Sequence, residues 1–406
     1  MGRAFSELAA APLAPRRLAA RDGLVRGILS AHQLFLDACR SEQLDALRVC
    51  HGDERESRGA AASGAVRSVN RLENITSDVI DWSKMSTLPT VDYSAMPRHM
   101  AWRAMYRHQR YARHLSQPEL NRRFRDIFIN LLVLQTDGKI GIVPKLEEMA
   151  RWTELLTHML EEFKLRHGPY PAGFTRDVLH SEPFPDLVGA LGDRAVAVLA
   201  ARSINAQNTF IKFGKREYME RLYERGGLRI QAASFYAKPS HNGAVRDDEL
   251  ALALSLGLSR DDVVRLVKNP QDVPANAPGQ RVNVEFRSPE DYWLYCVSMV
   301  MEPRLFVDFD ADACVIIHDQ AAFRARLANA TLPVLQPVAT RDAPALYIDP
   351  LFPDTVSIDI RFAKHFRYTY QREHRFVWVP RNSRTTLGHV DVELGPLTGI
   401  AELVLI

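Results

Sequence analysis

Residues 281–318 read RVNVEFRSPEDYWLYCVSMVMEPRLFVDFDADACVIIH. Four runs in this stretch, RVNVEF, YWLYCVSM, RLFVDF and ACVIIH, are rich in β-branched and aromatic residues, and turn-forming residues part them, so each reads as a strand. The pattern continues downstream in LPVLQPV, ALYID, TVSIDI, EHRFVWVP, HVDVEL and AELVLI. AAFRARLANA and RFAKHFRYTYQ read as helices among them. Upstream, FIKF alternates up to Gly214, KREYMERLYERGG is a short helix stopped at Gly226-Gly227, and LRI is a second strand. AVRDDELALALSLGL and SRDDVVRLVKN read as two more helices, the second capped by Ser259. Strands mixed with short helices, without regular alternation, predict an α+β fold with a mainly antiparallel sheet over residues 206–406.

The preceding part has a different texture. From Arg98 to about Ala200 the apolar spacing is helical. Trp102, Met105 and Tyr106 share one helix face, RFRDIFINLLVLQT is nearly apolar on one side, and LEEMARWTELLTHMLEEFKLRHGP stops at Gly168-Pro169. PDLVGALGDRAVAVLAARSI is a helix broken near Gly189 and Gly192. These define a helical domain over 76–205. Residues 1–75 read as a helical lead-in followed by a linker, because HGDERESRGAAASGAVRSVN has too few large apolar groups to offset chain entropy. The opening M-G-x-x-x-S also fits a lipid-acceptor pattern at Gly2, a short pattern that often matches by chance.

Bulk properties exclude several classes. The formal charge is only +3, with no net-charge footprint for nucleic acid. Four cysteines, Cys39, Cys50, Cys296 and Cys314, form no C-x-x-C pair and predict a reducing, cytoplasmic compartment. No apolar run is long enough to span a bilayer. Phosphate-binding glycine loops, a nucleophile elbow and histidine-pair metal motifs are all missing, so no metal is expected. The acids of Asp308, Asp310 and Asp312 alternate as in a calcium loop, but without its glycine and distal glutamate, and read as a turn. One basic feature stands out. Between Arg98 and Asp126 there are eight arginines and two acids. Arg103, Arg107, Arg110 and Arg113 are candidates for gripping nucleic acid, or else they pair with the acidic helices that follow.

The residues that point to chemistry lie in the C-terminal half. Lys212 is in the first strand. Ser234 and Tyr236 follow the second, His241 and Asn242 occupy a polar loop, and Asp247, Asp248 and Glu249 come next. Glu373 and Arg375 open a late strand. The order FIKFG (210–214), GGLRI (226–230), ASFY (233–236), RDDE (246–249), DACVII (312–317) and QREHRF (371–376) resembles a bacterial domain family of unknown function often found near mobile elements and defence genes. That family is similar in turn to the ADP-ribosyltransferase fold. The resemblance covers about residues 207–406. It implies NAD as cofactor, an unknown macromolecular target, and the activity of a toxin or antiphage effector. Glu373 then matches the late glutamate that holds the nicotinamide ribose and faces positive charge as nicotinamide leaves. Ser234 or Tyr236 falls in the middle position, where an aromatic ring stacks on nicotinamide. Lys212 stands where the fold usually carries His or Arg, a departure that bears on NAD binding. His241 and Asn242 are further cofactor candidates. Asp247, Asp248, Glu249 and Arg375 are read as substrate-contacting or structural. Two other readings stay open: a non-catalytic sensor or interaction module, and a nucleic-acid-associated factor using the Arg98–Arg125 helix. Read without the resemblance, Glu373 is a surface carboxylate paired with a neighbouring arginine.

Overall fold

The computed structural model describes residues 95–406 except 171–173, 181–184, 188, 201–207, 259–270, 272–279, 352, 354–357 and 382–386. The expected lead-in and linker, Gly2, Cys39, Cys50 and the helix SRDDVVRLVKN lie outside the described residues. The chain is α+β with mainly antiparallel sheets, as the strand-rich stretch predicts. No helix among the described residues is long and apolar enough to cross a membrane.

The helical part comprises α1 (Arg98–Gln109), α2 (Gln117–Leu131), α3 (Leu146–His167), α4 (Phe174–Leu179) and α5 (Ala190–Ala200). Ser116 and Glu119 close a capping box at the start of α2, satisfying two otherwise orphaned N–H groups. LVL, expected to continue that helix, is instead β1 (Leu132–Leu134), paired with β2 (Ile140–Ile142). Tyr106, Leu120, Phe124, Ile127, Met159 and Phe163 form the helical core. Leu351 and Phe366 from the C-terminal half enter the same core, so the two halves share a packed seam. Buried polar bonds reinforce it. Arg123 forks onto Asp349 at 2.7 and 2.6 Å, and Arg304 donates to the carbonyls of Ile129 and Leu132 at 2.7 and 2.8 Å.

The C-terminal half is built on an eight-stranded sheet. Its strands are β3 (Phe210–Gly214), β4 (Gly227–Ala232), β7 (Trp293–Ser298), β8 (Ala313–Ile317), β9 (Ala339–Pro344), β12 (Glu373–Val379), β13 (Val390–Glu393) and β14 (Ala401–Leu405). β5 (Ala251–Leu258) and β6 (Gln280–Arg287) form a separate antiparallel ribbon, and β10 (Leu346–Ile348) pairs in parallel with β11 (Ala363–His365). Side chains alternate across the main sheet. Phe210, Tyr295, Val297, Val315 and Phe376 pack under α6 (Arg216–Arg225) and α8 (Gln320–Leu335). On the opposite side, Ile211, Phe213, Cys314 and Ile316 pack with α5 and α7 (Pro303–Asp308).

The sheet divides at β7. One edge of this strand pairs along its length with β12. The other edge is shared: β4 takes only Trp293 and Leu294, and β3 takes only Ser298. The ladder with β4 ends because the chain tightens into a 3₁₀ turn at Ala233–Ala237. Lys212 spans the resulting gap, its Nζ donating to the Cys296 carbonyl at 2.7 Å and lying 4.6 Å from the centre of the Tyr295 ring.

Several further sequence readings are corrected. ALALSLGL is β5, not a helix: Leu252, Leu254 and Leu256 are buried at a period of two, and pairing with β6 overrides the helical propensity of Ala and Leu. RLFVDF is α7, started by Pro303 and bridged by Arg304 to Asp308 at 2.7 Å. LPVL closes α8, which runs through Pro333 and leaves at Gln336. RFAKHFRYTYQ is β11 followed by a 3₁₀ helix over Phe366–Gln371. The described end of TVSIDI, residues 358–360, is not strand either.

Gly226 stops α6 as expected, at φ 69°. A Cβ there would lie 2.3 Å from the Gly395 carbonyl oxygen. Gly226→Ala therefore meets both a left-handed backbone and a backbone clash. It should cost at least about 2 kcal/mol, read as a lower urea midpoint at unchanged slope.

Candidate active site

Glu373 begins β12 and faces inward, only 7% exposed. The backbone explains why. Its partner across the ladder is Ser298, and the next residue on the same face, Arg375, sits opposite Cys296. Both side chains therefore project from the sheet face opposite His374 and Phe376, beside the point where β3 and β4 part. Lys364 of β11 donates to Glu373 Oε2 at 2.5 Å, Arg375 Nε donates to Oε1 at 2.6 Å, and Cys296, across the ladder from Arg375, shares the face of the carboxylate. The Glu373 N–H donates to the Tyr347 hydroxyl at 2.8 Å. On the far side of Arg375, Glu249 Oε2 lies 2.6 Å from Nη2, and Lys364 Nζ lies 3.9 Å from Glu249 Oε1. Two cations and two carboxylates thus alternate in one buried cluster.

Burial and pairing compete in this cluster, with different winners. Burial alone would raise Glu373, but Lys364 and Arg375 hold its carboxyl well below the usual range. Burial wins at Glu249, whose carboxyl is pushed up to about 7 despite Arg375 and Lys364. Asp247 is also raised by burial, against the nearby Lys364 and Arg375 charges. Burial pulls Lys212 down, with the Lys364 charge adding to the fall. It pushes the Cys296 thiol up, and Glu373 pushes it further, so this thiol is not a ready nucleophile.

Tyr236, Cys296 and Tyr347 stand around this floor, each only half-buried. Lys212, also half-buried, lies across the ladder from Val315 on the other sheet face and reaches into the gap toward the Cys296 carbonyl.

The structure therefore gathers Tyr236, Asp247, Glu249, Glu373 and Arg375, leaves Lys212 on the other sheet face over the Tyr295 ring, and gives the other candidates local tasks. Ser234 donates to Asp291 at 2.6 Å, and His241 Nε2 lies 3.0 Å from the Phe235 carbonyl. Asn242 Oδ1 accepts from the Ala244 and Val245 N–H groups, and Asp248 accepts from the Leu250 N–H. Those contacts organise turns. The surface-carboxylate reading of Glu373 is wrong in one respect: it does pair with Arg375, but inside the protein. Lys364, Cys296 and Tyr347 were missed. Lys364 sits in a segment whose spacing imitates a helix, and Cys296 in a strand that reads as plain core.

The basic helix is engaged elsewhere. Arg107 and Arg103 face Glu161 at 2.6 and 3.9 Å, and Arg110 and Arg166 face Glu162 at 3.0 and 2.6 Å. Arg113 donates to His114. Two carboxylates buried in α3 thus draw the guanidiniums down onto the helical core. A separate hollow lined by Asn208, His318, Asp319, Gln320, Gly399 and Ile400 opens at the β8–β14 edge. Among the described residues no three His, Cys, Asp or Glu side chains converge as a metal would require. Comparison of the chain with protein-family models, curated proteins and solved structures found no match in any of the three.

Proposed function

We propose that the gap in the divided sheet forms a recess beside Glu373, and that this is the active site of an ADP-ribosyltransferase-like enzyme that cleaves NAD, with Glu373 as its catalytic carboxylate. The observation that carries this reading is the inward Glu373 at the head of β12, placed where β3 and β4 part from β7. In this reading the carboxylate faces the positive charge that develops at ribose C1′ as the bond to nicotinamide breaks. Tyr236 offers an aromatic face to the nicotinamide ring. An effector or toxin would use such chemistry against a macromolecular target or by depleting NAD.

A second reading has its own support. Both Glu373 oxygens already have cationic partners, which suits a stabilising element inside a non-catalytic sensor or interaction module.

Nicotinamide release from NAD separates the two. Glu373→Gln alone is a poor test, because it strands Lys364 and Arg375 in the interior. Lys364→Met with Glu373→Gln removes one charge of each sign. The transferase reading expects slow release by the wild-type chain and at least about a hundredfold less by the double variant, with both folded. Equal rates for the two folded proteins would sink it in favour of the module.

A further inference from the structure

The segment joining Lys364 to Glu373 belongs structurally to the helical layer. Asn130 of α2, 2% exposed, holds it at both ends of its amide. Its Nδ2 donates to the carbonyls of Arg367 and Phe366 at 3.0 and 3.5 Å, and its Oδ1 accepts from the Tyr370 N–H at 3.0 Å. Trp152 of α3 stacks on Phe366 with ring centres 6.0 Å apart, and the Arg123 guanidinium lies 5.1 Å from the centre of the same ring. Arg304 lies over Tyr370 at 3.8 Å. The last residue before Glu373 is Arg372, held at φ 45° in the left-handed region. A non-glycine residue stays there only where its surroundings impose it. Its side chain is ion-paired with Glu148 of α3.

These contacts fix the length and path of a loop whose two ends are the ammonium and the carboxylate of the tightest pair in the cluster. We infer that the helical layer is a latch. Docked as seen, it keeps Lys364 on Glu373 and so occupies the carboxylate; displaced, it lets the 3₁₀ segment relax and frees Glu373 to face the recess. Asn130 and Glu148 are its positioning residues. The inference rests on the NAD reading only for what the freed carboxylate would do.

The Cys296 thiol, across the ladder from Arg375 and on the same face as Glu373, reports on the latch without any activity assay. The experiment compares the wild-type full chain with Asn130→Ala and with the milder Glu148→Gln. Alkylation by iodoacetamide is followed at the Cys296 peptide by mass spectrometry, with fully buried Cys314 as internal reference. Nicotinamide release is measured in parallel. Leu222→Ala, in the core under α6 on the opposite sheet face, controls for general loosening. Loss of a buried hydrogen-bonding group is expected to raise the Cys296 rate about tenfold in Asn130→Ala, less in Glu148→Gln, and not in Leu222→Ala. Unchanged Cys296 rates in both folded latch variants, or an equal rise in Leu222→Ala, would overturn the latch. Faster alkylation with no nicotinamide released by any variant keeps the latch and removes the NAD reading. Steady release with unchanged alkylation does the reverse.

Discussion

Arg375→Met is expected to destabilise the chain by about 3–5 kcal/mol, a large share of the roughly 5–15 kcal/mol that holds a typical domain folded. Arg375 is 0% exposed. Its Nε serves Glu373, its Nη2 faces Glu249, and its Nη1 donates to the carbonyls of Arg361 and Ala363 at 3.1 and 3.2 Å. Methionine fills much of the volume and none of these roles. Two carboxylates are then left with Lys364 alone, and two carbonyls lose a donor. Because the penalty is mostly uncompensated charge, it should shrink when a carboxylate is removed as well. Glu249→Gln added to Arg375→Met should recover about 2 kcal/mol relative to the sum of the single effects. Urea midpoints at pH 7.5, with constant slopes, measure this cycle. Strict additivity would mean that Arg375 acts by packing and not by charge.

The same residues show how far a sequence carries a site. Glu373 was singled out through the resemblance, which implies a glutamate at the head of a late strand, and that strand was clear from EHRFVWV. Its place among buried partners was not. Lys364 lies in AKHFRYTYQ, where aromatic spacing fits a helix, and only the parallel pairing of β11 with β10 makes the segment extended. Glu249 falls in AVRDDELALALSLGL, which reads as a helix. The apolar end of that run is strand β5, and Glu249, just before it, is buried, with Tyr292 donating to its backbone carbonyl at 2.7 Å. The division of the sheet at β7 depends on two strands competing for one edge, a long-range choice invisible in local pattern. The basic face of α1 was plain, and so was one of its two readings: the acidic helix that follows supplies Glu161 and Glu162, more than fifty residues away in α3, as its partners.

A second large effect should appear in acid and should belong to two histidines. His158 is 4% exposed, and burial, aided by the Arg123 charge, pulls it down to about 4. His365 is pulled down to about 3 by burial and by the Arg367 and Arg123 charges. In the unfolded chain both titrate near 6.5. Between about pH 6.5 and 4 the unfolded chain therefore binds protons that the folded chain refuses, and stability falls as pH falls. His158 is neutral in the fold, its Nδ1 3.0 Å from the Tyr111 hydroxyl and its Nε2 4.0 Å from Glu154. His365 Nδ1 accepts from the Arg367 N–H, which a proton would abolish. Each tenfold of proton mismatch is worth about 1.4 kcal/mol, so the pair together should account for about 6 kcal/mol of stability lost by pH 4. Carboxyls raised by burial run the other way over part of this range: Glu249, at about 7, and Asp126, at about 6, are more protonated folded than unfolded. The histidine share is therefore read as a difference. His158→Gln with His365→Asn keeps a hydrogen-bonding group at each place without a titrating ring. Wild type and double variant should differ by a constant amount above pH 6.5. Below it, the variant should gain on wild type steadily down to pH 4. Parallel curves across that window would place the acid lability elsewhere, in carboxylates such as Glu373, which stay charged in the fold while the unfolded chain takes up the proton below about pH 4.5.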